Sequence, residues 1–95
     1  MAPIRRIVLD VLKPHEPSML ELAERLADTD GVDGTNATMV EIDEEVENVK
    51  VTATGDDIDY DAVKREVGDM GGSVHSIDEI VCGEKLVEES KTPQD

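Results

Sequence analysis

The sequence predicts an α+β sandwich: a four-stranded antiparallel sheet carrying two helices on one face, in β-α-β-β-α-β order. Three observations predict it. Four runs are rich in β-branched and aliphatic residues, and two intervening runs place apolar residues along one helical face. The two halves also repeat: sliding the first onto the second lays Leu22 on Val63, Leu26 on Val67 and Gly31 on Gly72.

Each element has its own signal. Residues 4–12, IRRIVLDVL, read as a first strand, and KPHEPS with its two prolines as a turn. Ser18 followed by Glu21 is a capping box, in which each side chain satisfies the other residue's free amide. The helix it opens has Met19, Leu22, Ala23, Leu26 and Ala27 on one face and is closed by Gly31. Residues 36–43, NATMVEID, and 46–54, VENVKVTAT, read as two strands joined by a tight acidic turn, and Gly55 breaks the second. Asp59 or Asp57 caps the next helix, DAVKREVGDM, with Tyr60, Val63, Val67 and Met70 inward and Gly71 and Gly72 as its stop. Residues 74–82, VHSIDEIVC, are the last strand. This order is the split βαβ of ferredoxin-like folds, and right-handed crossovers put the first and third strands at the centre. One domain is expected over residues 1–87, with 88–95 as a polar C-terminal tail.

Composition narrows the function. The 95 residues carry 24 Asp and Glu against nine Lys and Arg, a formal charge of −15, with one Tyr and no Phe or Trp. Nucleic acid is excluded as a partner, because phosphates need basic surface and unpaired bases need aromatic platforms. Anionic membrane surfaces are repelled, and no apolar run reaches the ~20 residues of a membrane-spanning helix. Cys82 is the lone cysteine, so no intrachain disulfide forms and a cytoplasmic location is the expectation. The surplus of acid suits a salt-rich cytoplasm, where counterions screen self-repulsion.

The sheet face opposite the helices is the informative one. Alternation along the first strand turns Ile7, Leu9 and Val11 to the helices and Arg6, Val8, Asp10 and Leu12 to the open face. Met39 with Glu41, and Lys50 with Thr52, are expected to share that face. Val8, Leu12 and Met39 would be wet in a monomer, which marks them as candidate contacts in a homo-oligomer.

Few constellations carry chemistry. The aspartates of DDIDYD resemble the opening of a calcium loop, but Ala62 and Gly68 stand where that loop needs Gly and Glu, so helix capping explains them. HSIDE offers His75, Asp78 and Glu79 on the strand expected beside Asp10. A local bulge would bring Asp78 and Glu79 together. Asp10, Asp78 and Glu79 form an oxygen set suited to calcium or magnesium, and His75 extends it as a candidate ligand residue toward transition metals. The alternative is that Asp10 pairs with Arg6 or Lys50 and His75 is a surface or interface residue. Ser73, His75, Ser76 and Asp78 have the residue types of a hydrolase triad, yet neighbours on one strand face apart. There is no CxxC, no glycine-rich phosphate loop after the first strand, and no arginine in that connection, so no enzyme is expected.

IRRIVLDVLKP at 4–14, DGVDGTNATMVEID at 30–43 and GGSVHSIDEIVCGE at 71–84 resemble the archaeal family catalogued as domain of unknown function 211, over about residues 3–87. The resemblance implies a ferredoxin-like domain assembling into closed homo-oligomeric rings, hexameric or heptameric, and an archaeal source. With this charge the source would be a haloarchaeon. It carries no activity with it. Two expectations remain: a ring that binds a divalent cation or small metabolite between subunits, or a structural ring that scaffolds a protein partner.

Overall fold

The computed structural model of the chain describes residues 2–90. Its elements are β1 (Ile4–Pro14), α1 (Met19–Ala27), β2 (Val32–Ile42), β3 (Val46–Gly55), α2 (Tyr60–Asp69) and β4 (Ser73–Cys82). The strands form one antiparallel sheet in the order β2-β3-β1-β4, so β1 and β3 are central, as the crossover rule requires. The fold is the ferredoxin-like α+β arrangement expected from the sequence.

Pairing of β1 with β3 sets Ile7, Leu9 and Val11 opposite Ala53, Val51 and Val49, and all six are buried under the helices. Leu22 and Leu26 of α1 and Val63 and Val67 of α2 close this core from above. Without aromatic rings its cohesion comes from aliphatic side chains, each contributing about 1.5–3 kcal/mol when fully buried. Both helices start where their sequence signals put them, though among the described residues only the Ser18 half of the capping box is made and Glu21 faces Arg25 instead. Ser18 Oγ accepts the Glu21 amide at 3.2 Å, and Asp59 Oδ1, not Asp57, accepts the Ala62 amide at 3.1 Å. No helix is long and apolar enough to cross a membrane among the described residues.

Two expectations are corrected. Met39 does not face the open side: it lies opposite Val49 and packs against the core, in line with Ala37 and Thr35. The cause is a bulge at Val40, which puts Glu41 opposite Asn48 on the open face and so reverses the phase between residues 39 and 41. Val8 does face the open side, but it is only 9% exposed. The chain beyond β4 turns back across that face. Gly83 N donates to the Pro3 carbonyl at 2.8 Å, and the Arg5 guanidinium donates to the Gly83 and Glu84 carbonyls. Glu88, the first residue of the polar tail, reaches Arg6 at 2.8 Å. Residues 91–95 of that tail lie outside the described residues.

Candidate functional site

The open face holds a groove of about 580 Å³. Val8 of β1 and Val81 of β4 are buried residues lining it, joined by Lys50 of β3, Asp78 and Glu79 of β4, and Val87, Glu88 and Glu89 of the returning chain. Arg6 stands beside it on the same face, in register with Val81. Its guanidinium donates to Glu79 Oε1 and Glu88 Oε2, each at 2.8 Å. Its hydrogen bonds to Glu88 and then Glu79 push the Arg6 pKa further above its already high ordinary value, and the contact with Arg6 lowers that of Glu88.

The sequence-assigned ligand residues divide. β4 carries two bulges against β1, one at Asp78 and one at His75. The first turns Asp78 and Glu79 to the same groove, the juxtaposition a bulge was expected to produce. Asp78 Oδ1 accepts the Ser76 hydroxyl at 2.8 Å, while Glu79 is taken up by Arg6. Asp10 lies opposite Lys50 and Ser76 but does not line the groove. Arg6, offered as its partner, is held by glutamates instead. His75 is exposed and stands apart from the groove. No three His, Cys, Asp or Glu side chains converge on one point among the described residues. On the same sheet face as Asp10, Asn48 Oδ1 is buried with no hydrogen-bond partner among the described residues. Leu12, a candidate contact, lies opposite Asn48 and is half-buried.

Sequence reasoning missed a second polar cluster, where the end of β1 meets the β2–β3 turn. Lys13 is 2% exposed, and its Nζ donates to Glu47 Oε1 at 2.7 Å and to the Pro14 carbonyl at 2.8 Å. His15 places Nδ1 3.0 Å from Glu47 Oε2 and Nε2 3.0 Å from the Glu44 carbonyl. Lys13 first, then His15, hold the Glu47 carboxyl below its ordinary pKa, and Glu47 and the Glu44 carbonyl raise that of His15. The signal was available. The inward alternation Ile7, Leu9, Val11 continues to Lys13, and the register that pairs Leu9 with Val51 pairs Lys13 with Glu47.

Fold and open face together define a small ferredoxin-like domain whose sheet bears a charge-rimmed groove instead of a second helical layer. The chain belongs to the family DUF211, described as uncharacterized ArCR, whose pattern it matches over residues 5–95. It is similar to the uncharacterized protein MJ0319 of Methanocaldococcus jannaschii, with 52% identity over 95 residues, covering 100% of this chain and 98% of that one.

Proposed function

We propose that this chain works as a non-catalytic homo-oligomeric ring in a cytoplasm rich in salt, binding a divalent cation or small metabolite at its subunit boundaries. The observation that carries it is the state of the two sheet edges. On β2, Val40 and Ile42 are 61% and 59% exposed; on β4, at the other edge, Ile77 and Ile80 are 47% and 53% exposed. Long edges with paired apolar side chains are what folded proteins normally blunt. Here the two are unlike surfaces at opposite ends of one sheet, the arrangement that a head-to-tail contact uses and that closes into a ring when the rotation permits.

Light scattering in molar potassium chloride should give a mass several times 10.4 kDa. Val40→Asp and Ile80→Asp, one on each edge, should each shift the mass toward the monomer. A monomeric wild type at micromolar concentration overturns the ring, and full-sized assemblies from both variants overturn the edge contact.

A charge of −15 per subunit makes such an assembly depend on counterions. Asp10 and Asp78, both beside Ser76, supply hard oxygen donors on the open face, and calcium or magnesium are the ions they suit. Either ion should raise the melting temperature beyond sodium of equal ionic strength, because an ion bound only by the folded state stabilises it by mass action. Asp10→Asn and Asp78→Asn should each abolish that excess. Equal responses from wild type and both variants would reduce the effect to diffuse screening.

A further inference from the structure

We infer that His15 is the pH-sensitive member of a clamp fastening the β1–α1 loop to the β2–β3 turn, and that loss of its second ring proton releases the turn.

The geometry is a count of donors. His15 Nδ1 faces a carboxylate oxygen of Glu47 and Nε2 faces the Glu44 backbone carbonyl, both at 3.0 Å. Both partners only accept hydrogen bonds. A neutral imidazole carries one N–H and satisfies one of them, leaving its other nitrogen lone pair against an oxygen. Imidazolium alone donates to both.

The surroundings prevent an easy escape. Glu47 cannot rotate to relieve the contact without cost, because its other oxygen holds the ammonium of buried Lys13 at 2.7 Å. The turn moves as a unit, since Asp43 Oδ1 accepts the amides of both Glu45 and Val46. The groups that face His15 are therefore Glu47 of β3, with Lys13 of β1 behind it, and the Asp43 and Glu44 segment of the turn. These partners raise the imidazole pKa in the folded state, Glu47 most. By linkage, the clamp's contribution is fully present below the unfolded value of about 6.5 and is lost as pH rises through the raised folded value. The side chain is 43% exposed, so water replaces the lost contacts and the turn loosens without unfolding the domain.

What moves is the hairpin end that carries Ile42 and Val46, 59% and 38% exposed. The proposal does not require the ring: it concerns the position of the turn within one chain, and its readout is within one chain.

The test is an NMR titration of the full-length protein from pH 5 to 9 at one fixed salt concentration, following the His15 ring carbons and the Glu45 and Val46 amides. His75→Gln assigns the two histidines. The expected result is a His15 midpoint above the ordinary 6.5, with turn amides shifting at that same midpoint and losing this transition in His15→Gln. A His15 midpoint at or below the ordinary value overturns the clamp, as do turn amides that shift identically in His15→Gln.

Discussion

Replacing Gly31 by alanine should cost about 3 kcal/mol or more. Gly31 has φ +82°, which alone costs an L-residue roughly 1–2 kcal/mol. The greater part is steric. A Cβ there would stand 1.8 Å from the Asp57 carbonyl oxygen and 2.9 Å from Ile58 Cα, both backbone atoms that no side-chain rotation can clear. The approach is mutual, for a Cβ on Gly55 would meet the Gly31 carbonyl oxygen at 1.8 Å. This crossing is tied on both sides, with Asp59 N donating to the Asp30 carbonyl and Ile58 N to the Ile4 carbonyl. Making room means pulling the start of β2 from the entry to α2. Two other glycines calibrate the result. Gly71 has the same φ, but its Cβ would meet only the Pro14 ring at 3.4 Å, so Gly71→Ala should cost only the conformational ~1–2 kcal/mol. At Gly34 nothing lies within 4 Å, and Gly34→Ala should be close to neutral. Urea midpoints should therefore fall in the order Gly34→Ala, Gly71→Ala, Gly31→Ala. A Gly31→Ala protein as stable as Gly71→Ala would mean that the crossing gives way.

The contrast between Gly31 and Gly71 also shows what one sequence discloses. Gly71 follows the Met70 cap of α2 directly, a local helix stop readable from adjacent residues. Gly31 reads as the same signal, yet α1 ends at Ala27 with Asp28 as its cap, and the glycine serves a contact with residues far along the chain. Features set by neighbours in sequence were legible: the caps Ser18 and Asp59, the core faces of both helices, and the phase of β1. Features set across strands were not. One extra residue at Val40 reverses the phase between Met39 and Glu41, and nothing in NATMVEID marks where it sits. Exposure of Val8 depended on a returning segment whose composition reads as solvated. At the candidate site, the sequence supplied Asp78 and Glu79 and the bulge that joins them. It could not supply Arg6 as the partner of Glu79, because Asp10 lies on the same face and was an equally good candidate.

Glu47→Gln should cost about 3 kcal/mol, and Lys13→Met should remove much of that loss when combined with it. The reasoning turns on which group is stranded. Lys13 is 2% exposed and its ammonium has Glu47 as its only carboxylate partner among the described residues. Breaking a buried pair by removing one member typically costs ~3–5 kcal/mol, because the other charge stays buried without compensation. The Pro14 carbonyl still accepts from Nζ in the variant, which places the cost at the low end. Lys13→Met alone should cost less, since the Glu47 side chain is 13% exposed and keeps its contact with His15. In the double variant no buried ammonium remains, and a thioether of similar length fills the space. Replacing both members of such a pair with apolar or neutral groups is often close to neutral. The pH dependence has a definite sign. Lys13 and His15 hold the Glu47 pKa below its ordinary value, so the pair's contribution is fully present above about 4.5 and disappears as pH falls through the lowered value. Wild type and Glu47→Gln should therefore converge in stability in acid and diverge toward neutrality. Chemical denaturation at pH 3 and pH 6 of all four proteins in the cycle measures this coupling directly. A coupling near zero at pH 6 would show that Lys13 finds solvent when its partner is removed, and that the cluster fastens nothing.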